Sequence, residues 1–466
     1  MILRLRGNIP RMEKQGQEEI SVLETIKRQF ENVTDLLTET VDNGFWPMEI
    51  AYFPSLCDER IKDGLLVPYS YRFDPDEFRR MLRSNPKYVE AEDPKQWANL
   101  LLKGFVLLKV EGKCYSFKSD RTLVTEPGTT EVESAVLGPQ SAFTEDITMN
   151  MALLRLRYNV PTLTAEPYDK GSYSNTSIMV LYDRELVNPV ILNMLRDKLD
   201  RIRLDLLLAS SSLVKELTDR NHRLFPTILQ TERPDRVAVM LRKGKIVIII
   251  NGSRFALILP VRLFDFMHAM DDEYDSYWIN RFLNVMRYVG IWMTIILPAS
   301  YIAIVSYNPE IFRVQLAFTI DGSRAGVPYP SFVEVFVMLF MIEALIEASI
   351  RLPRIVGSTA TTVGGLILGQ AAQQAGLVSS IMIIITSVVA ISNFVIPNPD
   401  FSQAVRLMKY PFVVIAMLYG ISGVVVLFFA LMVYLCNLRS FGEPYFALFL
   451  PRSHDLPNQG TKLGKG

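Results

Sequence analysis

The stretch IVGSTATTVGGLILGQAAQQAGLVSSIMIIITSVVAISNFVIPNP, residues 355–399, contains no Asp, Glu, Lys or Arg. A helix needs roughly 20 apolar residues to cross a bilayer, and this run is about twice that length. Working outward, residues 288–309 and 410–438 are also free of formal charge. The preceding chain has the mixed composition of a water-soluble protein. The sequence therefore predicts a last third that lives in a membrane and a first two thirds that live in water, and the function has to join the two.

Whole-chain totals narrow the classes. Lys plus Arg number 49 and Asp plus Glu number 49, so electrostatics suggest no nucleic-acid partner. Cys57, Cys114 and Cys436 are far apart, and so are His222, His268 and His454. That spacing points to neither a disulfide framework nor a metal site. The opening MILRLRGNIPRMEKQGQEE lacks the apolar core of a signal peptide. The N-terminal region is expected to stay in the cytoplasm, with the first membrane helix as internal anchor.

In the soluble part, Ile20, Leu23, Ile26, Phe30, Val33 and Leu37 recur at helical spacing and predict one amphipathic helix over 17–42. PMEIAYFP then alternates, PDEFRRMLRS and DPKQWANLLLKG read as helices opened by Asp-Pro, and FVLLKVEGKCYSF reads as two strands around a glycine turn. The same order recurs downstream. SIMVLYD is a strand, NPVILNMLRDKLDRI and RPDRVAVMLRKG are helices, and KIVIIINGSRFALI is strand, turn, strand. Lys103-Gly104 and Gly112 match Lys243-Gly244 and Gly252 at a constant offset of 140. Glycines at helix exits and hairpin turns suit positive φ. The predicted fold class is an α/β region of two tandem α/β subdomains, followed by an α-helical transmembrane domain of four to five helices. The predicted boundaries are an N-terminal helix (1–43), subdomain one (44–135), a connecting segment (136–159) with its helix over 140–158, subdomain two (160–262), a linker (263–285), the transmembrane domain (286–438) and a short basic tail (439–466). Walker A, GxGxxG and GxSxG patterns are absent from the sequence, so the expectation is no enzyme and no cofactor.

In the membrane part, the first span is placed at about 286–307, with Pro298 inside it. Residues 331–348 are apolar except for Glu334, Glu343 and Glu347, with Glu343 and Glu347 on one helix face. Two readings stay open. The carboxylates face a protein interior or water path, or the helix is interfacial and they reach water. RLPR (351–354) places the following loop on the cytoplasmic side. The next segment, with Ser358, Thr361, Thr362, Gly365 and Gly369, is rich in small residues that let helices approach closely. It suits packing against another helix or the lining of a pore. Residues 377–397 and 410–436 read as further spans. Basic residues in the tail argue for a cytoplasmic end and an even number of spans, against five apolar segments.

With these segments in place the chain resembles the GerA family, the A subunits of nutrient germinant receptors of Bacillus and Clostridium endospores. TEPGTTEVESAVLGPQSAFTEDITMNMALLRLR is similar to a family block at Glu126, Pro127, Gly138, Pro139, Phe143, Glu145, Asn150, Arg155 and Arg157. LQTERPD carries the family's TERPD signature at Glu232, Arg233, Pro234 and Asp235. NGSRFALILP, the 328–358 stretch with Arg351 and Pro353, GGLILGQAAQQAGLVSS and LCNLRSFGEPYF extend the resemblance over roughly 45–451. Departures include Leu137, Ala142, Ile346-Glu347, Ala348-Ser349 and Ser380.

The resemblance implies a multi-pass protein of the spore inner membrane with its N-terminal domain on the cytoplasmic, core side. It implies a transporter-like B subunit that carries the germinant site and a lipoprotein C subunit as partners, and self-association into a ring within the lipid bilayer. The implied activity is release of monovalent cations as germination begins. Glu334, Glu343, Glu347 and the small residues from Ser358 to Gly369 are then candidates for the ion path or gate. The competing readings are a non-conducting scaffold subunit and a related sporulation-membrane amplifier of ion release.

Overall fold

The computed structural model describes residues 35–42, 46–91, 93–119, 128–218, 223–351 and 369–447, together with positions 26, 30, 33, 364, 365 and 367. The chain divides into two compact units, Met1–Glu126 with Met151–Pro167, and Pro127–Asn150 with Tyr168–Gly466.

The first unit is built on a five-stranded sheet of order β1-β2-β4-β5-β3. Its strands are β1 (Leu37–Asp42), β2 (Pro47–Tyr52), β3 (Tyr88–Glu90), β4 (Phe105–Val110) and β5 (Lys113–Lys118). Helices α1 (Pro75–Ser84) and α2 (Pro94–Leu102) accompany it. Side chains of a strand alternate between faces, and here both faces are covered. Met48, Ile50, Val106, Leu108 and Phe117 pack with Phe78 and Leu82 of α1. Ala51, Leu107 and Cys114 pack with Trp97 and Leu101 of α2, and with Ile26, Phe30 and Val33. Two covered faces explain why FVLLKV is apolar at every position but Lys109.

The helix expected over 17–42 is corrected at its end. Leu37–Asp42 pairs antiparallel with β2, Leu37 opposite Tyr52 and Asp42 opposite Pro47. LTETVD holds three β-branched side chains, Thr38, Thr40 and Val41, which suit a strand better than a helix. The helical bond from Phe30 N–H to Ile26 O lies upstream, and residues 17–25 fall outside the described set.

The second unit carries β6 (Gly128–Thr129) paired with β7 (Ser141–Ala142), and α3 begins in it at Ile147 and runs to Arg157. Its main sheet has the order β8-β9-β11-β12-β10. The strands are β8 (Leu163–Lys170, which begins in the first unit), β9 (Thr176–Asp183), β10 (Leu229–Thr231), β11 (Ile246–Ile250) and β12 (Ala256–Leu259). Strand for strand this repeats the order of the first sheet, and Gly104, Gly112, Gly244 and Gly252 take φ of 77°, 76°, 74° and 79°. Helices α4 (Pro189–Arg201), α5 (Ser210–Leu217) and α6 (Pro234–Arg242) belong to this region. Ile191, Leu195 and Leu213 pack on Ile178, Val180, Ile246 and Ile248.

The same unit continues into helices α7 (Tyr277–Tyr307), α8 (Val314–Arg324), α9 (Ser331–Arg351), α10 (Ser380–Phe394) and α11 (Pro399–Asn437). The expected linker 263–285 is largely helical: Leu263–Met267 and Met270–Glu273 form short helices, and α7 begins at Tyr277. Two helices among the described residues are long and apolar enough to cross a bilayer, α7 and α11.

α11 is not one rod. Gly420 has φ 60° and ψ −145°, and the chain reverses there. The Phe225 ring lies 5.8 Å from Phe401 and 6.4 Å from Tyr434. A straight helix would separate those two residues by roughly 50 Å at ~1.5 Å per residue. A Cβ built on Gly423 would lie 2.7 Å from Ile415 Cγ2, which only a tight reversal allows. α11 is therefore a helical hairpin with arms 399–419 and 421–437. At the tip, Tyr307 from the end of α7 covers Gly420, and its hydroxyl donates to Met417 O. The segment 410–436, read from sequence as a single span, is broken at that glycine.

Candidate functional site

The two family signatures fold into one knot in the second unit. Pro234 opens α6, where a missing N–H costs nothing. Just before it, the Glu232 carboxylate accepts from three backbone N–H groups, Glu131 and Val132 at 2.6 Å and Glu133 at 3.0 Å. Arg233 is 1 % exposed. Its guanidinium grips Asp235 through Nε (3.1 Å) and Nη2 (2.6 Å), and donates to Glu133 O and Pro139 O. Arg236 donates to Glu133 Oε1 at 2.9 Å and to the carbonyls of Asp265 and His268. Buried charges persist when paired and fully hydrogen-bonded. Gly138 is part of the packing, since a Cβ there would sit 2.7 Å from Tyr274 Cε2 and 3.0 Å from Arg233 Nη2.

The knot reaches α7. Val136 and Leu137 N–H groups donate to Asp271. The adjacent Asp272 has a fully buried side chain and accepts from Arg287 of α7, with Nη2 to Oδ1 at 2.9 Å. Burial works to raise the Asp272 carboxyl, but hydrogen bonds from His268 and Arg287, the Arg287 charge and the Ala269 N–H outweigh it and hold it at about 2.

The far end of α11 is fastened to the same subdomain. Beyond Asn437 the chain forms β13 (Arg439–Ser440) and β14 (Glu443–Pro444). Ser440 Oγ donates to Thr227 O at 2.7 Å and accepts from Val261 N–H at 3.0 Å. Phe441 enters the core beside Leu195 and Leu259, and Leu263 N–H donates to Tyr445 O. At the start of α11, Gln230 donates to Asp400 at 3.0 Å and Phe266 stacks on Phe401. The subdomain thus holds the near end of α7 and both ends of the hairpin.

The carboxylates on α9 part company. Glu334 is 1 % exposed, accepts from the N–H and hydroxyl of Ser379, and has Arg324 Nε 3.6 Å away. Glu343 pairs with Arg406 and, at 3.2 Å, with the fully buried Lys409, both on the first arm of α11. Glu347 is exposed and pairs with Arg351 one turn on, at 2.7 Å. Glu343 and Glu347, grouped on one face from the sequence, thus have different partners and surroundings. Gly365 approaches Leu345 of α9 at 3.4 Å from an added Cβ, and nothing lies within 4 Å of one on Gly369. Pro353, Ser358, Thr361 and Thr362 lie outside the described residues, as do Glu126 and Pro127.

The other family positions are also placed. Asn150 caps the entry to α3, with Oδ1 accepting from Thr144 N–H and Nδ2 donating to Thr144 O, both at 2.7 Å. Glu145 contributes its carbonyl to Gly252 N–H, and Phe143 is buried with its N–H on Glu232 O. In the first unit Arg155 is fully buried, paired with Asp35 at 2.8 Å and bonded to Leu163 O. Arg157 is half-buried. Sequence reading missed Glu133, Arg236, Asp272, Arg287, Arg406 and Lys409. The charged partners that join them, Glu133 with Arg236, Asp272 with Arg287, and Arg406 and Lys409 with Glu343, lie from 15 to 103 residues apart in sequence, beyond any local spacing. Among the described residues no cluster of His, Cys, Asp and Glu could hold a metal ion.

The Bacillus/Clostridium GerA spore germination protein family matches residues 24–459. Spore germination protein KA of Bacillus subtilis is 33% identical over 382 residues, 80% of this chain and 69% of that one. Spore germination protein GerQA of Bacillus cereus is 29% identical over 439 residues, 93% of this chain and 88% of that one. Among solved structures, the N-terminal domain of the A subunit of the Bacillus megaterium spore germinant receptor GerK3 is similar at 26% identity and a TM-score of 0.40, over 51% of this chain and 92% of that chain. With the family matched over nearly its whole length, this chain belongs to the GerA family of spore germination proteins.

Proposed function

We propose that this chain is the A subunit of a spore germinant receptor, a multi-pass protein of the spore inner membrane that converts nutrient binding on a partner into release of monovalent cations. The observation that carries the reading is the fastening of one α/β subdomain to the helical region at several points, through Asp272–Arg287, Gln230–Asp400 and Ser440. A movement of that subdomain is delivered directly to α7 and to both arms of the hairpin. The germinant acts by binding one arrangement more tightly than the other, as any population shift requires. The B and C subunits and a ring of copies of this chain are part of the proposal.

Contacts support six passes across the bilayer instead of four or five. α7 runs from the α/β subdomain, where its Arg287 meets Asp272, to the hairpin tip, where its Tyr307 meets Gly420. α9 starts at that far end, where Ser331 meets Ser306. α10 starts there too, at Ser379 beside Glu334, and ends against Gly290 of α7. One passage between α9 and α10 and the two arms of α11 complete the count. An even number returns residue 438 to the side of the α/β domain, the cytoplasmic or core side. The helix bearing Gly365 and Gly369 lines the ion path, with Glu334, Glu343, Glu347, Ser358, Thr361 and Thr362 as its polar groups.

One observation favours the scaffold alternative. Glu343 is already matched by two cations, so attracting a passing cation first requires that pair to open. Current through planar bilayers, from the purified chain alone and with its B subunit, separates the two. Cation-selective current altered by Glu343→Gln and Glu347→Gln supports conduction along these carboxylates. Unaltered current removes them from the path, and no current from folded, oligomeric protein leaves conduction to a partner.

A further inference from the structure

A cavity of about 220 Å³ lies where the α/β subdomain meets α7 and the hairpin. The subdomain supplies Phe225 and Leu263, α7 supplies Trp292, and the two arms of α11 supply Phe401 and Leu435. Polar atoms are almost absent from its wall. A cavity of ~150 Å³ with apolar walls stays dry and binds benzene or xenon, and the almost wholly apolar wall here likewise offers water few partners. An apolar occupant would restore the dispersion contacts that an empty space forfeits.

Its position selects the occupant. Trp292 is 15 residues from the far end of α7 at Tyr307, or roughly 22 Å at ~1.5 Å per residue. That depth falls inside a hydrocarbon layer ~30 Å thick, in the leaflet next to the α/β subdomain. The helix surfaces beside the cavity are exposed and apolar, Val289 and Met293 on α7 and Phe429 and Val433 on the second arm. A bilayer lipid can therefore enter without crossing water.

We infer that this cavity is a binding site for one acyl chain of a membrane lipid from the leaflet on the α/β side. The inference rests on the membrane placement proposed above and not on ion conduction. The bound chain fills the space between the two arms and α7, beneath the aromatic cap from the subdomain. Its occupancy makes the spacing of these helices depend on the surrounding lipid.

The test uses the full chain in phosphatidylcholine vesicles doped with phosphatidylcholine carrying a diazirine on one acyl chain. After photolysis, adducts are mapped by mass spectrometry. Adducts on Phe225 or Phe401 and on Leu435, alongside those on Phe429 and Val433, are expected. Val405→Phe and Leu435→Phe, which fill the cavity from opposite arms, lower the cavity adducts about tenfold, the factor that 1.4 kcal/mol of binding represents. Yields are referred to Phe429 and Val433, which any folded, lipid-embedded chain keeps. Adducts on Phe429 and Val433 alone, or cavity adducts unchanged in both variants, overturn the site. Loss of adducts at Phe429 and Val433 as well overturns the membrane placement on which it rests.

Discussion

Replacing Gly420 with alanine probes the reversal in α11. The residue sits at φ 60°, ψ −145°, next to a region that essentially only glycine occupies, and forcing another residue there costs about 1–3 kcal/mol. An added Cβ would meet Tyr307 at 3.0 Å from Cγ and 3.2 Å from Cβ. Those are the stem and ring root of a side chain that is itself bonded to Met417 O, so Tyr307 cannot swing aside freely. Overpacking of this kind adds about 1–3 kcal/mol. Together, Gly420→Ala should destabilise the helical region by about 4 kcal/mol, read from SDS-titrated unfolding in mixed micelles. Tyr307→Ala removes the contacts with Cγ and the ring but keeps Cβ, so the double variant with Gly420→Ala should recover part of the steric term and none of the backbone term.

The same reversal is measurable as a distance. Spin labels on native Cys436 and on Leu407→Cys lie 29 residues apart, roughly 44 Å along an unbroken helix. In the hairpin they sit at nearly equal depth on arms ~8–10 Å apart, so strong dipolar broadening is expected. Cys57 and Cys114 are buried, and burial pushes the Cys114 thiol up to about 12, which keeps it from reacting with the label. A loss below about 0.5 kcal/mol in Gly420→Ala, with a label separation near the unbroken-helix length of roughly 44 Å, would refute the hairpin and the six-pass count with it.

Further predictions concern the charge pairs. Arg287→Ala leaves the buried Asp272 with His268 and the Ala269 N–H but without its arginine, and should cost about 3–5 kcal/mol in thermal unfolding. The Asp272 carboxyl is lowered from 3.8 to about 2 on folding. Its contribution is therefore complete above about pH 4 and lost as pH falls toward 2, about 2 kcal/mol in all, and Asp272→Asn should abolish that slope. Glu343→Gln strands Lys409 and Arg406 and should cost about 3–5 kcal/mol, whereas Glu347→Gln, on an exposed helix face, should cost under about 1 kcal/mol. Comparable losses in the two variants would contradict the separation of these carboxylates. Gly138→Ala should cost about 1–3 kcal/mol and speed proteolysis within 128–143 as the loop lifts from Arg233.

Much of the α/β region was legible because its elements are short and strongly patterned. PDEFRRMLRS became α1 at Pro75–Ser84, since Asp-Pro fixes a helix start locally. Gly112 and Gly252 mark hairpin turns because positive φ selects glycine at the residue itself. The N-terminal helix was read too far because Leu37 fits a period of 3.6 as well as a period of 2. The choice was made by pairing with β2, whose partner residues lie up to 15 positions away.

The helical region was legible only in part. Absence of charge identified its apolar segments, and family motifs identified Glu232, Arg233 and Asp235. The membrane carboxylates looked alike, yet Lys409 and Arg406 claim Glu343 while Ser379 claims Glu334. Hydropathy sums over a window and is blind to direction, so the turn at Gly420 left no trace in it.

The sequence by itself determined what depends on neighbours along the chain: the change from mixed to apolar composition, the repeated strand–turn–strand units, the capped helices and the family. Only the tertiary structure decided which buried charges are matched, where the long apolar helix reverses, and how the α/β subdomain grips α7 and the hairpin. Those are set by partners distant in sequence, whose desolvation and packing energies arise only when the chain has folded.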